Sequence, residues 1–292
     1  MPVIKSPASS ANIGPGFDCL GIAFNLYNSF EVSTAKETKL FNVEERYDNA
    51  DNLFLQAYRT GCAALGVQDD IHVRFDCDIP TSRGLGSSSA LICAGITAAS
   101  VLHDNRLSRE QVFQLASEME GHPDNVAPCL FGGLTASSKN TAGRFFTAQL
   151  PLHPDWKFTV MIPDFEVDTK EARRVLPVSY PRETAVYNIS HAVLLIDALR
   201  TGNLDQLLEN ASDQIHEPFR RKLIPDFDLI KKVMDENRSA FLISGSGSTC
   251  LAIHQIAFPE EIMHGILKNT QADWLIKDVS VAEKGTYTKG QE

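Results

Sequence analysis

Residues 80–90 read Pro80-Thr81-Ser82-Arg83-Gly84-Leu85-Gly86-Ser87-Ser88-Ser89-Ala90, and the reading of this stretch decides the fold. Before it, Ile71, Val73, Phe75 and Cys77 alternate with polar residues, which predicts a half-buried strand. After it, Leu91, Ala94, Ala98 and Leu102 recur at helical spacing. A strand therefore runs through a glycine–serine loop into a helix. Gly84 and Gly86 allow left-handed backbone and close approach to a ligand. The first N–H groups of the helix lack intrahelical partners and carry the positive end of its dipole, which makes an anion site. Ser87, Ser88 and Ser89 add hydroxyls that can donate hydrogen bonds or ligate Mg²⁺. A capped tight turn without a ligand has the same local pattern, so these residues alone leave both readings open.

Moving outward, two further Gly/Ser-rich segments stand at residues 7–16 (PASSANIGPG) and 244–249 (SGSGST). Common nucleotide motifs are absent. No Gly-Lys dipeptide exists, so there is no Walker A loop, and strict G-x-G-x-x-G fails at Gly84, Gly14 and Gly245. The protein-kinase signatures are missing as well. Gly86-Ser87-Ser88-Ser89-Ala90 nearly meets the G-x-S-x-G elbow of serine hydrolases, which keeps a hydrolase using Ser88 as the alternative from another reaction class.

The 292 residues suit one large domain or two ordinary ones. Lys plus Arg number 27 against 37 Asp plus Glu, a net charge of −10, which argues against nucleic acid or an anionic membrane as partner. Residues 84–102 carry no charge, but the serines and the short apolar part predict a buried helix rather than a span. Six cysteines without a C-x-x-C pair fit free, buried thiols in a reducing compartment, and the first residues lack an apolar signal core; a cytoplasmic location is expected.

Secondary-structure signals alternate along the chain. Val3 and Ile4 open a short strand that gives way to a loop at residues 6–16, and residues 20–33 read as extended. Helices are expected at 53–65, from Leu91, and after the capping-box pair Ser108 and Gln111. Strands follow at 135–138, 145–150 and 158–162, with a hinge-like break at His153-Pro154-Asp155. Helices then dominate (169–176, 185–200, 203–211, 227–236), followed by strands at 240–243 and 249–254, a helix near 259–267 and a strand near 275–282. Residues 283–292 read as a loose tail. The result is an α+β protein with two domains, 1–152 and 153–292.

Together and in this order, the three Gly/Ser segments resemble the GHMP small-molecule kinase superfamily, with residues 80–90 similar to its P-x-x-x-G-L-G-S-S-x-A phosphate loop. Within it the chain is most similar to the homoserine kinase family, on Pro7-Ala8-Ser9-Ser10-Ala11-Asn12-Ile13-Gly14-Pro15-Gly16-Phe17-Asp18, Asp51-Asn52-Leu53, Glu120-Gly121-His122-Pro123-Asp124-Asn125, Thr169-Lys170-Glu171-Ala172-Arg173 and Glu217-Pro218-Phe219-Arg220. Two positions depart from the family pattern: Ser89 replaces Gly or Ala, and Ser248 replaces the Pro of the S-G-x-G-P-T turn.

The resemblance implies an N-terminal domain like domain 2 of ribosomal protein S5, a ferredoxin-like C-terminal domain, and phosphorylation of L-homoserine by ATP. It implies ATP binding by Pro80, Thr81, Ser82, Arg83, Gly84, Leu85, Gly86, Ser87, Ser88, Ser89 and Ala90, with Asn52 and Leu53 near the adenine. Ser88 and Glu120 would hold Mg²⁺. Asn12 and Asp18 would receive the substrate ammonium, and Arg173 and Arg220 its carboxylate, since a guanidinium pairs with a carboxylate bidentately; Thr169 and Gly245 complete that subsite. His122, Asp124 and Asn125 would face the reacting hydroxyl, with Asp124 as general base or Asn125 in that place. A homodimer is possible by the resemblance. The nearer rival is a kinase of the same superfamily acting on another small alcohol, and a non-catalytic binding protein is the more distant one.

Overall fold

The computed structural model describes residues 1–290. Its strands are β1 (Val3–Ala11), β2 (Leu20–Ala35), β3 (Lys39–Phe41), β4 (Asp70–Cys77), β5 (Leu134–Lys139), β6 (Phe145–Leu150), β7 (Lys157–Pro163), β8 (Ala240–Ile243), β9 (Cys250–His254), β10 (Trp274–Val279) and β11 (Tyr287–Thr288). The α-helices are α1 (Leu53–Leu65), α2 (Ser87–Leu102), α3 (Arg109–Glu120), α4 (Val126–Phe131), α5 (Thr169–Arg174), α6 (Arg182–Thr201), α7 (Leu204–Asn210), α8 (Glu217–Arg220), α9 (Phe227–Glu236) and α10 (Glu260–Asn269). This is an α+β architecture built on two sheets.

The first sheet runs β11-β1-β2-β4-β3, and the long β2 also pairs with β5, which continues to β6. Its strands join antiparallel except β3 and β4. The second sheet is antiparallel in the order β10-β7-β9-β8. With α5–α9 between β7 and β8 and α10 between β9 and β10, this is the split β-α-β of ferredoxin-like layers. The apolar core is shared: Phe24, Leu85, Ile92 and Phe113 meet Phe158, Val160, Leu195 and Leu251 in one cluster.

Local chemistry fixes the helix ends. Asn52 caps α1, its Oδ1 accepting from the N–H of Phe54 and Leu55, and Gly66 closes it in left-handed conformation. Ser108 and Gln111 form the expected reciprocal capping box on α3.

Two expectations fail for identifiable reasons. Residues 6–11 are strand, not loop: a register shift at Pro7/Ala8 accommodates the proline, and buried Ser6, Ser9 and Ser10 have partners in neighbouring loops that satisfy their hydroxyls. Residues 283–290 are not a loose tail. Thr286 is buried with its N–H and hydroxyl on the Cys129 carbonyl, Arg109 Nη2 donates to the Thr286 carbonyl at 2.8 Å, and Tyr287–Thr288 pair with β1. The last two residues of that expectation, 291 and 292, lie outside the described residues. All six cysteines are free, yet Cys19 is only half-buried and Cys77 is exposed, the latter because β4 ends at a cavity. Among the described residues no helix is long and apolar enough to cross a membrane.

Candidate active site

The strand–loop–helix of residues 70–102 borders a cavity of about 660 Å³. Gly84 (φ +76°) and Gly86 (φ +66°) are left-handed, and Gly86 stands at the N-cap of α2 without a side-chain cap. A Cβ on Gly84 would lie 2.3 Å from the Ser244 carbonyl oxygen, and one on Gly86 would lie 2.0 Å from Ser9 Oγ. These glycines are required by close backbone approach. The loop is held on both sides: Ser9 N–H donates to the Leu85 carbonyl, Thr249 N–H to that of Arg83, and Ser244 Oγ to that of Gly84. Segment 244–249 is therefore a buttress for the loop as well as part of the wall.

The 16-residue helix α2 has no acidic residue in its first turn, so its N-terminal N–H groups present an uncompensated positive end to the cavity. Ser88 Oγ donates to Glu120 Oε1 at 2.6 Å, joining the start of α2 to the end of α3. Arg83 turns away: its Nε and Nη2 donate to the carbonyls of Pro163 and Asp164, and Nη1 lies 3.1 Å from Glu166. It fastens the loop to the end of β7. Thr81, Ser82, Gly84, Gly86, Ser87 and Ser88 line the cavity with Arg83, whereas Pro80 does not, and Leu85, Ser89 and Ala90 are buried in the core.

At one end of the cavity lie Asn52 and Leu53. Asn52 is already engaged, since its Oδ1 caps α1 and its Nδ2 donates to the Tyr47 carbonyl. It shapes the wall more than it reaches inward. The apolar surface there comes from Val43, Tyr47, Phe75, Ile79 and Leu91. Sequence reasoning missed these residues, because the 42–51 connection has no motif and only the alternation of β4 marks Phe75.

The opposite end gathers Asn12, Asp18, His122, Asp124, Asn125, Thr169, Arg173, Arg220 and Gly245. Asn12 organises it: its Oδ1 accepts the Asp18 N–H and its Nδ2 donates to the Gly245 carbonyl, both at 2.8 Å. Arg173 meets Asp18 bidentately at 3.0 and 3.2 Å. Burial opposes the Arg173 charge, but Asp18 outweighs it and the pKa is raised. Arg220 is 2% exposed, stacks on the Phe17 ring and donates to the carbonyls of Ala172 and Gly245. Burial, and then the repulsion of Arg173, lower its pKa to about 10. Among the described residues it has no carboxylate in ion-pair contact, so of the two guanidiniums only Arg173 is paired, with Asp18. Thr169 Oγ1 stands 3.3 Å from Ser246 Oγ on the same wall.

Asp124, 1% exposed, accepts from the Asn125 N–H at 3.1 Å and pairs through Oδ1 with His122 Nδ1 at 2.7 Å. Burial favours neutral His122, but its contact with Asp124 prevails and raises the imidazole pKa. Asn125 Oδ1 accepts from Ser9 Oγ, which leaves its NH₂ as the free donor. The hydrolase alternative finds no support here, because Ser88 pairs with Glu120 and the nearby imidazole pairs with Asp124.

A phosphate loop closing on a helix N-terminus, next to a charged pocket for a small polar acceptor, defines an ATP-dependent small-molecule kinase of the two-domain GHMP type. Family models agree: residues 52–133 match the GHMP kinases N terminal domain and residues 195–257 the GHMP kinases C terminal domain. A homoserine kinase of Synechococcus sp. is 36% identical over 97% of this chain and 96% of its own, and one of Clostridium kluyveri is 39% identical over 86% and 85%. The crystal structure of homoserine kinase from Cytophaga hutchinsonii superposes with a TM-score of 0.88 at 26% identity, covering 98% of this chain and 96% of its own. The chain belongs to the homoserine kinase family of GHMP kinases.

Proposed function

We propose that the chain transfers the γ-phosphoryl group of ATP to the side-chain hydroxyl of L-homoserine, giving O-phospho-L-homoserine and ADP, as a cytoplasmic step of threonine biosynthesis. The observation that carries this reading is the Asp18–Arg173 pair backed by Arg220 in the same cavity as the phosphate loop. An amino acid brings an ammonium for Asp18 and a carboxylate for the two guanidiniums, so a zwitterion matches every charge on that wall. A sugar or a hydroxy acid has no ammonium to offer Asp18.

Phosphoryl transfer depends mainly on alignment and on neutralising charge. The N–H groups at the start of α2 would hold the phosphates, and the apolar end lined by Tyr47, Phe75 and Leu91 would receive the base. Ser88 and Glu120 supply one hydroxyl and one carboxylate, a donor set that suits Mg²⁺, which takes its remaining ligands from phosphate and water. Mg²⁺ held there would offset charge on the triphosphate. With its amino and carboxyl groups fixed by Asp18, Arg173 and Arg220, homoserine would extend its hydroxyl in line towards the γ-phosphoryl. The Asn125 NH₂ would orient that hydroxyl. Asp124 Oδ1 already takes two donors, and a loose transition state asks little of a base, so the proton would pass late to a phosphoryl oxygen.

Product chemistry tests the assignment. After incubation with Mg-ATP and L-homoserine, the product should carry phosphate as an ester resistant to hydroxylamine. A hydroxylamine-labile acyl phosphate would mean that the substrate sits with its carboxylate, not its hydroxyl, at the phosphates, and would refute the assigned wall.

A further inference from the structure

Asn188 lies within α6 and shares its inward face with Leu195 and Leu199. An amide on such a face costs stability unless its polar atoms find partners. It finds them in two separate segments. Its Oδ1 accepts the Gln214 N–H at 2.9 Å, and its Nδ2 donates to Asp213 Oδ1 at 2.6 Å and to the Pro15 carbonyl at 3.4 Å. Asp213, whose side chain has no solvent exposure, gathers the N–H groups of Ile215, His216 and Glu217 on its other oxygen, at 2.9, 2.6 and 2.9 Å. Four donors thus converge on one carboxylate, at the turn from which α8 starts.

Neither residue lines the cavity, yet what they hold does. Pro15 belongs to the 12–18 loop, which ends in Asp18, and the 213–217 turn leads into α8, which ends in Arg220. The two segments also touch directly. The Phe17 ring stacks on His216, with centroids 5.3 Å apart, and carries the Arg220 guanidinium, while a Cβ on Gly14 would come within 2.7 Å of the Ala211 carbonyl oxygen.

We infer, on the proposed reading of this pocket as the L-homoserine subsite, that Asn188 and Asp213 are positioning residues that set the spacing between Asp18 and Arg220. An α-amino acid carries its ammonium and carboxylate on one carbon, so a subsite for both must hold its acid and its base at one separation. Arg173 is ill suited to fix it, because its pair with Asp18 is partly exposed and screened by solvent. Arg220 is clamped by the carbonyls of Ala172 and Gly245 and follows α8, and the Asp18 backbone is tied to Asn12. One buried amide, bonded to both segments, keeps them in register.

Steady-state kinetics of the full chain, varying L-homoserine and Mg-ATP in turn at a temperature where circular dichroism shows each variant folded, is the test. Asp213→Asn turns one accepting oxygen into an NH₂ that faces a donor, and Asn188→Ala removes the tie to Pro15. Each should raise the homoserine KM about tenfold or more, with the ATP KM within a factor of about two and kcat little changed. If Asp213→Asn does not fold, Asn188→Ala, which leaves the α8 turn bonded to Asp213, decides alone. Thr159→Val, which removes a buried hydroxyl bonded to His254 and Asp278 away from the cavity, should lower the melting temperature and leave both KM values at wild type. A homoserine KM within about twofold of wild type in the folded variants, an equal rise in both KM values, or the same rise in Thr159→Val would overturn the positioning role. A wild type that turns over no L-homoserine would overturn the substrate reading and the positioning role with it.

Discussion

Replacing Arg173 with alanine separates recognition from stability. Its guanidinium pairs with Asp18 while the two side chains remain 41% and 36% exposed. Solvent screens such a pair, so its net worth to the fold is at most ~1 kcal/mol. The effect on substrate should be larger. The substrate carboxylate would lose a bidentate, charge-assisted contact, about 3 kcal/mol, equivalent to roughly 10²-fold in affinity. Because this contact is made in ground state and transition state alike, the loss should appear in KM with little change in kcat. Steady-state kinetics varying L-homoserine at saturating Mg-ATP, with the converse titration and a thermal melt, read all three quantities. The expected pattern is a homoserine KM raised about 10²-fold, an ATP KM within a factor of about two, and a melt within ~3 °C of wild type. An unchanged homoserine KM, or an equal rise in the ATP KM, would refute the assignment of Arg173 to the carboxylate.

Other outcomes follow from particular contacts. Gly84→Ala places a Cβ against the Ser244 carbonyl at a φ of +76°, so ATP affinity should fall sharply and the melting temperature with it; calorimetric titration with a non-hydrolysable ATP analogue at wild-type affinity would contradict this. Asp124→Asn should leave measurable turnover, because the phosphoryl group can take the proton; a ~10⁴-fold loss in kcat at unchanged KM would establish an obligate base. Glu217 is buried, and burial raises its pKa from 4.5 to about 7. A folded-state pKa above the unfolded value stabilises fully below pH 4.5, and that contribution is lost as pH rises through about 7. Glu217→Gln should therefore gain stability relative to wild type at pH 8, by up to about 3 kcal/mol, and show little advantage at pH 4. Urea melts at the two pH values check it, and an equal difference at both would count against the buried carboxylate.

Much of the fold was legible because its signals are local. Asn52 and Gly66 bracket α1 by capping chemistry, and the alternation from Ile71 marks β4. The strand–glycine–helix passage carried the phosphate loop. Legibility fell where long-range contacts decide. Ser6, Ser9 and Ser10 read as loop residues because the partners of their hydroxyls, Thr286, Asn125 and Ser244, lie more than a hundred positions away. The C-terminal segment showed no periodicity because two paired residues and one buried threonine hold it. In the site, residue types indicated which charges were available but not where they point. Arg83 belongs to the loop segment yet reaches to Glu166, Asn12 props a turn, and Arg173 and Asp18 face each other. Those directions depend on how β7, α5 and the 12–18 loop converge in space.

Phosphoryl transfer as proposed requires one cavity to align a nucleotide triphosphate with a small amino alcohol. Its most direct measurement is ADP release with Mg-ATP and, side by side, L-homoserine, mevalonate or galactose as acceptor. ADP should form stoichiometrically with L-homoserine and not above background with the others. No turnover on L-homoserine, or faster turnover on an acceptor without an ammonium group, would contradict it.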